Sequence, residues 1–316
     1  MSVINYYDEE TKILTIPYTF NEELKDIPEE TETIIFRENF MNLEISEFNI
    51  QVDNLPEKLR YLTFNNKFNQ PVDKLPKYLT ILTFGCYFNQ PVNNLPINLA
   101  SLIFGNIYGS QFNQEVDNLP KNLTYLKFYG SFNKPVNNLP ESITHLSFGM
   151  YFNQPVDNLP KNLISLFCDM AFNQPVDNLP ENLTALCLCG NFNQPVDNLP
   201  KKLTSLTLGR FFNQSLKKLP ESLIYLDIMS EFQNNAIIPK KCKTLSLIHS
   251  NKLLNNLPEH IEKIYIDRCN ILKDMTKQYN FIDNLPITIK EIIVPDEFTK
   301  NLLKNVPFET LVIVEK

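Results

Sequence analysis

The block Phe-Asn-Gln-Pro-Val-Asp-Asn-Leu-Pro recurs along this chain, and its phenylalanine returns mostly every 20 residues. The positions are Phe48, Phe68, Phe88, Phe112, Phe132, Phe152, Phe172, Phe192 and Phe212, with a degenerate copy at Phe232. Repetition at a fixed period of this size marks a stacked-repeat architecture. A unit so short cannot bury its own apolar face, so successive copies must pack on one another. Length then counts coils rather than domains. The 316 residues read as one solenoid, with an N-terminal cap and first coils over 1–47, regular repeats over 48–231, and degenerate repeats with a C-terminal cap over 232–316.

Between the blocks the chain reads Leu-x-x-Leu-x-Phe, as in Leu59/Leu62/Phe64, Leu79/Leu82/Phe84, Leu99/Leu102/Phe104 and Leu123/Leu126/Phe128. The last two apolar positions lie two apart, which is strand periodicity. A coil of 20 residues that holds a strand has little room for a helix on its way back. That return also carries prolines such as Pro71 and Pro76, which lack an amide donor and favour extended backbone. The reading is a mainly β fold, with a parallel sheet on one face and extended or polyproline-like segments on the other. Counting every proline-then-strand unit, from Pro28/Ile34/Phe36 to Pro307/Leu311/Ile313, gives about 14 coils. An opening strand at Leu14 and Ile16 precedes them, and residues 296–304 predict a short helix with Phe298 and Leu302 on one face.

The phenylalanine column and the valines Val72, Val92, Val116, Val136, Val156, Val176 and Val196 should face inward and stack. The asparagine after each phenylalanine (Asn49, Asn69, Asn89 and onward) should bond backbone groups of neighbouring coils, because turn amides and carbonyls must be satisfied when buried. The residue following Leu-Pro or Ile-Pro alternates in sign through Lys121, Glu141, Lys161, Glu181, Lys201, Glu221 and Lys240. Stacked about 4.8 Å apart, such a column avoids like-charge contacts and makes weak pairs.

The nonapeptide followed by Leu-Thr-x-Leu-x-Phe resembles the FNIP repeat, itself similar to leucine-rich repeats. The match is strong over residues 48–228 and weak on the flanks. FNIP-repeat proteins are typical of social amoebae and of giant viruses that infect amoebae. The resemblance implies a leucine-rich-repeat-like right-handed solenoid. One departure is visible: the leucine-rich-repeat asparagine is the ninth residue of its motif, whereas Asn89 is the eleventh counted from Leu79. Many FNIP proteins also carry an N-terminal F-box, which implies a substrate-recognition subunit of a ubiquitin ligase. Here the residues before Phe48 read as capping strands (Ile13 to Ile16, Ile34 to Phe36), so that alternative would require recruitment without a recognisable F-box.

Asparagine is unusually frequent, at 40 residues, while glycine numbers only 7. The three Asn-x-Ser/Thr sequons at Asn122, Asn182 and Asn213 follow from that richness. The net charge is -7, without the basic footprint of a nucleic-acid binder. Residues 1–10 are polar and acidic, unlike a secretory signal, and no apolar run approaches the ~18 residues that span a membrane. The six cysteines show no spaced framework, so a reduced, cytoplasmic setting is expected (host cytoplasm if the chain is viral).

Chemistry is hard to find in the sequence. No GxGxxG or phosphate-loop pattern exists. His145 could meet Ser147 or Ser165, but ordinary strand hydroxyls would look the same. Cys168 should point inward and Cys187 and Cys189 outward, so they do not supply the four converging ligands of a zinc site. Asp157, Asp177 and Asp197 share their slot with Asn93 and Asn137, which indicates a turn role rather than calcium. No enzyme activity, metal or cofactor is expected.

What remains is a surface. The candidate partner-binding residues are the outward positions Tyr61, Thr63, Tyr125, Lys127, Tyr129, His145, Phe167, Asp169, Tyr225, Asp227 and Tyr265, together with Tyr108. Part of this composition is the ordinary strand preference of tyrosine and threonine. Aromatic residues with few charges nevertheless match the cores of protein interfaces. Tyr108 lies in a four-residue insertion within 105–111, which is either a tolerated bulge or a binding loop. Residues 271–282 pose the same choice. The expectation is a monomeric interaction scaffold that binds a protein partner through its strand face, with no nucleic-acid or membrane partner.

Overall fold

Every Leu-x-x-Leu-x-Phe segment and its degenerate counterparts become short strands, and in all but the last (311–314, where Leu311 and Ile313 are exposed) alternate residues are buried. The computed structural model describes residues 3–38, 46–230, 236–248, 257–267, 285–301 and 303–315. Phe232 and the 271–282 stretch lie outside these described residues. The chain divides into two compact units, Met1–Asp169 and Met170–Lys316.

In the first unit a 3-10 turn (Val3–Tyr6) leads into β1 (Tyr7–Asp8), which pairs antiparallel with β2 (Ile13–Ile16). Then follow β3 (Thr33–Phe36), β4 (Tyr61–Thr63), β5 (Ile81–Phe84), β6 (Ser101–Phe104), β7 (Tyr125–Phe128), β8 (His145–Phe148) and β9 (Ser165–Cys168). From β2 onward each strand pairs parallel with the next. The second unit repeats the scheme with β10 (Ala185–Leu188), β11 (Ser205–Leu208), β12 (Tyr225–Ile228), β13 (Thr244–Ile248), β14 (Lys263–Asp267), β15 (Glu291–Val294) and β16 (Leu311–Val314). These also pair parallel in chain order. Register follows the apolar pattern, with Leu102 opposite Leu126 and Phe104 opposite Phe128. A one-residue slip would turn those side chains out to water. All fourteen proline-then-strand units of the sequence thus carry a strand. The fold is a mainly β solenoid.

Two phenylalanine columns, not one, fill the core of the first unit. The repeat column (Phe48, Phe68, Phe88, Phe112, Phe132, Phe152) is fully buried. The strand-end column (Phe64, Phe84, Phe104, Phe128, Phe148) interleaves with it. Within a coil the two rings lie 3.6–3.8 Å apart and nearly parallel, as in Phe64/Phe68, Phe84/Phe88 and Phe128/Phe132. Between coils the repeat rings are 6.0–6.3 Å apart and the strand-end rings 5.3–5.9 Å. Paired strands sit only about 4.8 Å apart. Each coil of this unit is therefore a wedge, thinner at the sheet, and the sheet takes the inner side of the local curve. Within the second unit Phe172, Phe192 and Phe212 form a repeat column spaced 6.1–6.2 Å, while aliphatic residues such as Leu188, Leu208 and Ile228 take the strand-end places. The valine column from Val72 to Val196 is buried throughout.

The prolines act differently from the expectation of a merely extended return. In all fourteen units the carbonyl of the Leu-Pro proline, or its equivalent, accepts the N–H of the third residue on, at 2.9–3.1 Å, as in Pro76 to Leu79 and Pro160 to Leu163. Each opens a turn that delivers the chain to its strand. Proline suits that place because its missing N–H needs no partner and its φ is already set.

Asparagine ladders close the opposite corner. Asn49 Oδ1 accepts the N–H of Asn69, Asn69 that of Asn89, Asn89 that of Asn113, and Asn113 that of Asn133, at 2.8–2.9 Å. In the second unit Asn173 and Asn193 do the same for Asn193 and Asn213. Each following glutamine donates back to the preceding asparagine, as Gln90 does to Asn69. These bonds tie coil to coil. In the alternating charge column Glu141 Oε2 accepts the main-chain N–H of Lys161 at 2.8 Å, so the carboxylate engages the next coil through its backbone.

The expected helix is shorter than 296–304 and faces differently. It spans α1 (Glu297–Asn301), with Asp296 Oδ1 accepting the Thr299 N–H at 2.7 Å as its cap. Phe298 is 49% exposed and Thr299 is the buried residue. Leu302, the other residue of the expected apolar face, lies outside the described residues.

Candidate functional site

Strand alternation sends one set of side chains into the core and leaves the other on the sheet's outer face. In the first unit this face gathers Tyr125 and Lys127 on β7, His145 on β8 and Phe167 on β9, with Tyr129 and Asp169 just past the strand ends. Parallel register aligns them, since Tyr125 is opposite His145 and Ser147 lies between Lys127 and Phe167. The Tyr125 and His145 rings stack at 6.3 Å, and the Lys127 ammonium sits 4.4 Å from the Tyr129 ring centre. That cation–π contact holds a cation over an aromatic face. Together with Asp169 these residues line a hollow of about 360 Å³.

A second hollow, about 790 Å³, adjoins the first and shares Tyr129, Gly149 and Asp169 with it. Its wall is the insertion. Asn106 and Gly109 exchange two backbone hydrogen bonds at 3.1 and 2.8 Å, which makes 105–111 a tight loop rather than a loose bulge. Gly105 and Gly109 supply the positive φ values, 86° and 120°, that the loop requires. Asn106 anchors it: its Nδ2 donates to Asn66 Oδ1 at 2.9 Å, while its Oδ1 accepts from Cys86 Sγ and from the Tyr108 N–H. Ile107 and Tyr108 are thereby held out at the tip, 81% and 65% exposed. Tyr87, Met150 and Tyr151 complete the lining. Asp169 is the one charged residue in it, and among the described residues its carboxylate has neither an ion pair nor a hydrogen bond.

The structure thus brings together seven of the twelve residues named from sequence: Tyr108, Tyr125, Lys127, Tyr129, His145, Phe167 and Asp169. Tyr61 and Thr63 stand on β4 of the same unit, outside both hollows. Tyr225, Asp227 and Tyr265 belong to the second unit. There burial raises the Tyr225 phenol above its ordinary pKa, with the nearby Asp227 charge adding to the effect. Lys263 lies 4.9 Å from the Tyr265 ring centre and pairs with Glu291 at 2.9 Å. Tyr87, Met150 and Tyr151 were missed. Tyr87 and Tyr151 occupy the variable position just before a repeat phenylalanine, which was the available signal.

His145 is the register partner of Ser165, yet its Nδ1 contacts Thr144 Oγ1 at 3.0 Å. Among the described residues no three His, Cys, Asp or Glu side chains gather as a metal set. Aspartates of this column link successive coils: Asp73 Oδ1 accepts from Asn94 Nδ2, and Asp177 Oδ1 accepts from Asn198 Nδ2. Among the described residues no helix is long and apolar enough to cross a membrane.

The model of the FNIP Repeat family matches residues 68–106, 135–167 and 172–211. The chain carries FNIP repeats. These FNIP coils are similar in structure to CroV588, described as a novel circular leucine-rich-repeat protein and derived from the giant virus CroV, at 31% identity and a TM-score of 0.72. That likeness covers 95% of this chain but 49% of CroV588, so the FNIP chain spans about half the length of that relative. YopM, a leucine-rich effector protein of Yersinia pestis, is similar at 16% identity and a TM-score of 0.52, covering 99% of this chain and 92% of its own. That second likeness concerns the fold alone. No curated protein sequence matches the chain. The fold class is therefore a leucine-rich-repeat-like scaffold.

Proposed function

We propose that this FNIP-repeat chain is a non-enzymatic scaffold that binds a partner protein through its outward strand face, centred on the two hollows of the first unit. One observation carries the reading: aromatic side chains at non-repeating positions converge around a loop that is held rigid from beneath. Buried aromatic anchors dominate the energy of most protein interfaces, and a pre-set loop lowers the ordering cost of association. The lining is apolar with few charged groups, which is the composition of an interface core rather than of a solvated surface. Leucine-rich-repeat-like coils supply such a face by construction, since stacking identical backbones frees one strand position in two for variation.

The test is a combined substitution, Tyr125→Asp, Tyr129→Asp and Phe167→Asp, compared with Glu181→Lys on the turn side. Bait protein of each kind is used to capture partners from native-cell lysate, with thermal unfolding measured alongside. The triple variant should lose the partners that the wild type and Glu181→Lys both retain, while its unfolding midpoint stays near that of the wild type. Equal capture by the triple variant would refute the proposal.

A further inference from the structure

Cys187 and Cys189 meet on the outer face of the second unit, with their sulfur atoms 3.0 Å apart. We propose that they form a dithiol site that takes small-molecule disulfides of the glutathione class and closes into an intramolecular disulfide. The site does not depend on the proposed partner surface.

Three features build it. Residues two apart on a strand share a face, so both thiols lie on the water side while Leu188 between them is fully buried. The chain also leaves the strand at Leu188: Cys189 falls past the last strand residue, and Gly190 follows with φ of +53°. That turn draws Cys189 back toward Cys187, where a continuing strand would hold the side chains further apart. Finally, the backbone on both sides is fastened. Cys187 is in ladder with Thr207, and the Cys189 carbonyl accepts the Phe192 N–H at 3.3 Å. An S–S bond needs about 2.05 Å, a small movement from the observed separation.

The other described cysteines sit differently. Cys168 is wholly buried, burial pushes the Cys242 thiol up to about 12, and Cys86 donates its thiol to Asn106. Cys187 and Cys189 are both half-exposed, so a soluble disulfide can reach them.

The chemistry balances by thiol–disulfide exchange. One cysteine, as thiolate, attacks a sulfur of the small-molecule disulfide. That S–S bond breaks, a mixed disulfide forms, and a small thiolate leaves and is protonated. The second cysteine, having lost its proton to solvent, then attacks the protein sulfur of the mixed disulfide and expels the second small thiol. Two S–H bonds are lost from the protein, one S–S bond is gained, and the external disulfide is reduced to two thiols.

The experiment equilibrates the full chain, and its Cys187→Ser and Cys189→Ser variants, in graded mixtures of reduced and oxidised glutathione. Free thiols are then blocked by alkylation. Cleavage after Glu181 and Lys201 isolates residues 182–201, which contain these two cysteines and no other. In the wild type this peptide should lose two hydrogens and resist alkylation, with little glutathione attached. Each single variant should instead carry glutathione on its remaining cysteine, at a level at least ~10-fold above the wild type, because a positioned second thiol outcompetes external thiol. Persistent glutathione on the wild-type peptide would overturn the proposal. So would a wild-type peptide that stays fully reduced where the single variants are modified. The wild-type result decides alone if a variant fails to fold.

Discussion

Phe132→Ala should cost this protein about 3–5 kcal/mol of stability, the usual range for truncating a fully buried aromatic ring. Phe132 has no exposed surface. It stacks on Phe128 at 3.8 Å and contacts the rings of Phe112, Phe148 and Phe152 at 6.0–6.3 Å. The void would therefore open in three successive coils at once. Stability in a solenoid is the sum of coil terms and nearest-neighbour interfaces, so a missing ring in mid-column weakens two interfaces. Against a whole-fold stability of about 5–15 kcal/mol, that loss should appear as a large drop in the urea midpoint. Phe132→Leu, which keeps most of the volume, should lose much less. Equal midpoints for Phe132→Ala and wild type would mean that the interleaved columns do not hold the coils together.

Gly85→Ala is the second large effect, by the opposite route. A methyl group at Gly85 would run into the backbone of Asn65 and Asn66 in the preceding coil. Backbone cannot swing aside as a side chain can, and Asn65 is itself fixed because its Nδ2 donates to the Ser46 and Phe48 carbonyls at 2.9 and 3.0 Å. Overpacking of this kind costs about 1–3 kcal/mol and occasionally more. The expected result is a lowered melting temperature, accompanied by faster amide exchange in β4 and β5, whose coils must separate. An unchanged melting temperature would show that the coils slide apart without strain.

The strands could be read in advance because each coil repeats the same apolar offsets, so alternation and register leave one choice of face for Leu102, Phe104 and their equivalents. The same rule placed Tyr125, Lys127, His145 and Phe167 on the outer face. What it did not reveal lies at the corners, where the chain turns and no period of two applies. Tyr87, Met150 and Tyr151 line the larger hollow from such a corner. The anchoring of the insertion depends on Asn106 reaching Asn66, 40 residues earlier, a contact that follows from stacking and not from local pattern. Strand alternation put Cys187 and Cys189 on one side but gave no hint that their sulfurs meet, since the bend at Gly190 brings them together. The fixed φ of the prolines is legible in the sequence, whereas the turn-opening role of their carbonyls follows only from the folded backbone. The repeated nonapeptide sets the coil geometry, whereas the variable residues between copies decide what the surface can recognise.

The most direct measurement of that division is a photo-crosslinking scan with a benzophenone amino acid placed singly along the full chain in its native cell. Positions Tyr108, Lys127 and Phe167 should each yield the same covalent partner adduct. Positions on the turn side, Pro155 and Glu181, should yield none of it. Adducts formed from Pro155 and Glu181 but absent from the strand-face positions would contradict the account.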